Sequence, residues 1–324
     1  MDLPAETQLR WILRNTAALL ELGAEPVSGL VLPTGDFFPD HFDGSPGSLV
    51  ALMQRVQRLA GLGDLRVELR VVTPEGEEQT VSCSSGACGG TGKIEARIDR
   101  VAHNDDGSYT VTVGAGEVRS PTVLTTALIR SVAFMFLTEV GGYEGVLPSD
   151  REPLTDLAGT LLGFGVLLAN GSYMYMKGCG GVKVHSATRM PVDEITVALA
   201  LFCKLHDVPE RQASRSLELT PSEHFAEAMV WSHSNASLVK LLRDKPAKIA
   251  ADEYSIAPAR SWLARVLGVG SGKKKAETPE DELAALEQDL SAKAALGPKK
   301  APVDPAKARK MAELKALVDE SLTR

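Results

Sequence analysis

Histidine and cysteine are scarce in this chain, six and four in 324 residues. No two of His41, His103, His185, His206, His224 and His233 stand four apart. None therefore forms the one-turn pair that sets two imidazoles on one helix face around a metal ion. Each is expected as a surface or hydrogen-bonded side chain, with His185 set apart by the glycine-rich stretch before it. The cysteines, Cys83, Cys88, Cys179 and Cys203, show no C-x2-C spacing. That excludes zinc-knuckle and thioredoxin-like motifs. A basic excess is missing as well. The net charge is −7, and residues 1–269 carry 24 Lys and Arg against 32 Asp and Glu. Such an acidic body argues against nucleic acid as a partner. The N-terminus has no basic stretch before an apolar core and no A-x-A site. No secretory signal is expected, so the chain reads as cytoplasmic with reduced thiols.

What is present is ordinary: 44% hydrophobic, 24% charged and 5% aromatic residues. This is the composition of a soluble globular protein and excludes a collagen-like or fully disordered chain. Residues 157–176 carry no charge, and about 20 residues can span a bilayer. The strongly apolar part stops at Ala169, before the turn-like Asn170-Gly171-Ser172. A buried core helix is expected there, not membrane insertion.

The periodicities suggest an α+β fold: a small β-rich N-terminal part, a mainly helical core and a flexible helical tail. Ile12, Leu13, Ala17, Leu19, Leu20 and Leu22 recur at near-helical spacing. Residues 30–32 read as a short strand before an aromatic, Asp- and Pro-rich loop, and residues 48–62 as a helix. Residues 65–73 alternate as a half-buried strand. Two more strands follow a polar, glycine-rich stretch, joined by an Asp-Gly turn. Ser120 and Pro121 open a long helix, apolar nearly all round apart from Arg130, that stops near Gly141-Gly142. A second central helix is expected from Glu152-Pro153. Its Gly159 and Gly163, four apart, should let the Arg130 helix approach closely. Further helices are expected over 192–207, from Thr220 to Trp231, and over 255–267. The body then spans 1–268. Residues 269–282 have linker composition, and 283–324 hold two short amphipathic helices around Leu283, Leu286, Leu290 and Met311, Leu314, Val318.

Several short motifs resemble an uncharacterised bacterial family of zincin-like metallopeptidase candidates. Leu32-Pro33-Thr34, Phe37-Phe38-Pro39-Asp40 and Phe42-Asp43-Gly44 match its N-terminal loop. Glu152-Pro153-Leu154-Thr155-Asp156-Leu157 matches most of its His-Glu-Pro-Leu-Thr-Asp-Leu stretch. Gly163, Gly165, Val166, Ala169 and Asn170 match the run after it, and residues 190–202 a later helix. The resemblance covers roughly residues 30–231 and implies a zinc peptidase site built on His-Glu-x-x-His. Here that motif is degenerate. Arg130 stands at the first His, Ser131 at the Glu base and Phe134 at the second His, while Arg151 replaces the downstream His. Neither Arg nor Phe can ligate zinc. Zinc is not expected, nor any other cofactor.

The resemblance therefore implies a non-catalytic peptidase-like scaffold that acts through protein–protein interaction, with the 283–324 tail as a docking element. Arg130, a lone charge in an apolar helix, is expected to pair with the retained Glu152 or Asp156. Two alternatives stay open. One is an enzyme of another class using the remnant cleft with Glu152, Asp156 and Ser131. The other is a thiol module at Cys83 and Cys88, with Cys179 as a possible third thiol, holding metal or doing redox chemistry. Ser131 lacks a G-x-S-x-G elbow, and GACGGTGK fails the phosphate-loop pattern because Ile94 follows Lys93.

Overall fold

The computed structural model describes residues 3–72, 100–178 and 181–258. Its compact unit is Met1–Arg260. The expected linker at 269–282 and helices at 283–324 lie outside the described residues, as do Cys83, Cys88 and Cys179. The fold is α+β with a mainly helical core.

Helix α1 (Glu6–Glu21) buries Leu9, Ile12, Leu13, Thr16, Ala17 and Leu19; of the expected stripe, Leu20 is half-buried and Leu22, past the helix end, is exposed. Helix α2 (Pro46–Leu59) starts with Pro46, and the Ser45 hydroxyl accepts a hydrogen bond from the Ser48 amide at 3.2 Å. Strands β1 (Val67–Val72), β2 (Val101–His103) and β3 (Tyr109–Gly114) form one sheet with β3 in the middle. β1 runs parallel and β2 antiparallel to β3, and the expected Asp-Gly turn joins the latter pair through Gly107. The third strand ends early, because Ala115–Val118 form the short helix α3. There Glu117 accepts the Gly114 amide and pairs with Arg100.

Helix α4 (Pro121–Glu139) is buried on nearly every face, as its composition predicts. The next helix, α5 (Pro148–Gly159), begins four residues before the expected start. Pro148 occupies its first turn, and Pro153 is tolerated inside it. A π-helical turn over Thr160–Phe164 leads into α6 (Gly165–Ser172), so the apolar run is one interrupted helix. A hairpin of β4 (Met174–Gly178) and β5 (Gly181–His185) occupies the Gly- and His-containing stretch, which carried no strand expectation. Then come α7 (Val192–Leu205), α8 (Glu210–Ser214), α9 (Leu219–Ser234), α10 (Ala236–Asp244) and α11 (Pro246–Ala250). The helix expected over 255–267 does not begin at Ser255, and its remainder lies outside the described residues.

In the core, α4 packs on α5 and α6, and α7 packs on α6, α9 and the π turn. Both α4 and the α5–α6 rod are long and apolar enough to cross a membrane by length and composition, and both are largely buried inside the chain. Gly159 makes the expected close approach: a Cβ there would lie 3.4 Å from Ile129 of α4 and 3.0 Å from Leu168 Cδ1. Gly163 does something else. Its φ is +102°, and a Cβ would stand 2.2 Å from the Gly29 carbonyl oxygen. Its own carbonyl accepts the Val31 amide at 2.9 Å. Residues 30–32 are therefore not a strand; they lie along the π turn and bond to it. A lone backbone bond to a helical turn leaves no ladder to extend.

The small sheet joins the helices through Tyr109, fully buried, whose hydroxyl donates to Glu139 Oε1 at the end of α4 at 2.5 Å. In the first turn of α7, burial pushes the Glu194 carboxyl up to about 7, with Asp193 adding repulsion. The native state then holds a proton that the unfolded chain, near 4.5, has released. Stability should fall as pH rises between those values. Glu194→Gln is expected to remove that fall, raising the melting temperature at pH 8 relative to the parent and not at pH 4. An unchanged pH profile would refute it.

Candidate functional site

Five of the six residues singled out around the degenerate motif come together. Arg130 projects from α4 and Asp156 from α5, and Arg130 Nε donates to Asp156 Oδ1 at 2.5 Å. Arg130 is 5% exposed and Asp156 is 0% exposed. The other Asp156 oxygen accepts the backbone amides of Arg189 at 2.6 Å and Met190 at 2.9 Å, both from the segment after β5. Burial pushes the Asp156 carboxyl up, while Arg130 and the two amides oppose that push. Four lone-pair directions meet three donors, two of them fixed backbone groups, which is how a buried carboxylate is held charged. Arg130 Nη2 is buried and has no hydrogen-bond partner among the described residues.

Glu152, one turn before Asp156, pairs with the Arg189 side chain and not with Arg130. Phe134, one turn after Arg130, packs against Tyr143, ring centroids 5.5 Å apart. Arg151 covers the same ring, its guanidinium carbon 5.7 Å from the centroid. The Tyr143 hydroxyl meets Thr155 Oγ1 at 2.7 Å. Because Thr155 already donates to the Arg151 carbonyl, Tyr143 is the donor in that bond. Burial pushes the Tyr143 hydroxyl up to about 12, so it stays protonated. Where the resemblance implies imidazoles, there is a buried guanidinium–carboxylate pair, and Tyr143 packs between Phe134 and Arg151 of the same two helices.

Ser131 stands apart from this cluster. Its hydroxyl donates to the Ala127 carbonyl of its own helix at 2.9 Å and is 4% exposed as a residue. That is a helical serine satisfied locally, with no base beside it. His185 ends β5 opposite Met174. Only the segment that it opens reaches Asp156, through Arg189 and Met190. Cys203 is buried on α7, and burial pushes its thiol up to about 12, so it is inert as a nucleophile. Among the described residues, no three His, Cys, Asp or Glu side chains converge as a metal-holding group.

Sequence reasoning missed Tyr143 and Arg189. Neither stands in a motif, and each reaches the site only through the chain's return after α4 or β5.

It also missed a cleft of about 490 Å³. Its walls are the start of α4 (Pro121, Thr122, Thr125), Tyr173 and Tyr175 at the start of the β4–β5 hairpin, and residues 216–221 leading into α9. Asn170 fixes this last wall. Its amide nitrogen donates to the Ser216 carbonyl at 2.9 Å, and its oxygen accepts the Glu218 amide at 2.8 Å. No protein-family model, curated protein or solved structure matches this chain.

Proposed function

We propose that this chain is a non-catalytic protein on a zincin-like peptidase scaffold, acting by binding another protein. One observation supports the reading: Arg130, which the resemblance aligns with a metal-binding His, is buried in an ion pair with Asp156. A permanent guanidinium supplies the positive charge that the retained carboxylate needs. It offers no open coordination position and cannot polarise a substrate as zinc does. The general base is absent in kind as well, since Ser131 is a locally satisfied hydroxyl. The 283–324 tail is proposed as one docking element.

The rival enzyme would use Glu152, Asp156 and Ser131; Ser131 and Asp156 are buried and already hydrogen-bonded, and the partly exposed Glu152 is ion-paired with Arg189. A thiol module at Cys83 and Cys88 is tested by Cys83→Ser/Cys88→Ser, which this reading expects to leave partner binding intact.

Metal emission spectroscopy of the purified full chain decides the main point. No stoichiometric zinc is expected, and one zinc per chain would overturn the reading.

A further inference from the structure

We infer that the cleft between α4, the β4–β5 hairpin and α9 receives a basic side chain, arginine or lysine, from a protein partner. The inference names the chemistry of the partner proposed above and rests on that reading.

Aromatic geometry is the first support. The Tyr173 and Tyr175 rings stand 5.4 Å apart at 82°, an edge-to-face pair. Ring faces carry the negative side of the aromatic quadrupole, and a cation is attracted to the face left open. Tyr175 is 65% exposed, so its face is available to a ligand.

Charge is the second. Glu218 is the only charged residue among the described residues that line the cleft. Its carboxylate has no ion-pair partner among the described residues. Glu223, one turn into α9, adds a second negative charge close enough to act on the Tyr175 hydroxyl. Another wall carries the N-terminal end of α4, the positive end of its dipole. A cation is therefore directed to the tyrosine–glutamate end.

Size and apolar surface agree. About 490 Å³ exceeds one side chain and suits a basic residue with flanking backbone. Leu219, 74% exposed on the rim, offers apolar contact to the methylene stem of such a side chain. The acidic balance of residues 1–269 would draw a basic partner toward this surface.

The test is calorimetric titration of the full chain with acetyl-Gly-Gly-Arg-Gly-Gly-amide, its lysine analogue and its glutamate analogue. Binding of the two basic peptides and none of the glutamate peptide is expected. Tyr175→Ala should weaken arginine-peptide binding about two- to fivefold by removing its aromatic face. Glu218→Gln should weaken it about threefold and reduce its salt dependence. Both positions are exposed, so neither variant should disturb folding, and circular dichroism checks that. Equal binding of the glutamate peptide, binding that survives both substitutions, or no binding of the arginine peptide overturns the inference. The zinc measurement is separate: a zinc-bearing chain that still binds arginine through Tyr175 sinks the scaffold reading and keeps this site.

Discussion

Arg130→Met is expected to destabilise the protein by about 3–5 kcal/mol in urea unfolding. The loss comes less from the bond itself than from what stays behind. Asp156 is fully buried, and without the guanidinium it keeps two backbone amides and no opposing charge. Its carboxyl, already pushed up by burial, would be pushed further. A carboxyl that titrates higher in the native state than in the unfolded chain favours folding when protonated, and that advantage is lost as pH rises. The variant should therefore recover much of its deficit in acid. Arg130→Met/Asp156→Asn gives the control. Asparagine removes the charge and leaves one oxygen to accept from Arg189 or Met190, so the double variant should regain most of the lost stability. A single variant costing under about 1 kcal/mol, or a double variant less stable than the single, would show that the pair carries no such tension.

Gly163→Ala should cost about 3 kcal/mol or prevent folding, the second large effect. An L side chain at φ +102° is strained in itself. The new Cβ would stand 2.2 Å from the Gly29 carbonyl oxygen, a backbone atom that cannot swing aside. Relief means moving the 26–31 segment off the π turn and losing the Val31 amide bond to the Gly163 carbonyl, worth about 1 kcal/mol. Gly35→Ala is the comparison, since nothing lies within 4 Å of its Cβ position and its φ is ordinary. It should stay within about 0.5 kcal/mol of the parent. Thermal melts of the two variants decide it, and equal melting temperatures would show that the close approach is not a constraint.

Most helices were legible because their apolar stripes follow a period that needs only local sequence. Residues 6–21 are an example, while 121–139, apolar nearly all round, was legible from its composition and its end signals. The β4–β5 hairpin was missed because its strands are only five residues long and meet at glycines, Gly178 and Gly181. Short strands draw their stability from partners, which spacing alone does not name. The two glycines of GTLLG make the same point. Both were expected to serve helix packing, and Gly159 does. Gly163 serves a loop that arrives from far earlier in the chain, which no local pattern announces.

At the site, it was the resemblance, not any spacing, that grouped Arg130, Phe134, Arg151, Glu152 and Asp156, which α4 and α5 carry. The choice of Asp156 over Glu152 as the partner of Arg130 was not legible. It depends on Arg189, which takes Glu152 for itself and lends its amide to Asp156. The cleft was illegible for a similar reason. Its walls come from three stretches that Asn170 and the hairpin bring together.

The hydroxyl of Tyr109 on Glu139 sets how the molecule opens. Tyr109 belongs to the central strand and Glu139 to the last turn of the central helix. Peeling β3 away would pull the fully buried Tyr109 out of the core and break its bond to Glu139, so strand and helix end open as a unit. Amide protons of β3 should then exchange with solvent at the slow pace of the helical core. Those of β1, an edge strand with Val71 and Val72 exposed, are free to exchange through local fraying. A three-stranded sheet too small to be stable alone thus borrows the lifetime of the helix it touches.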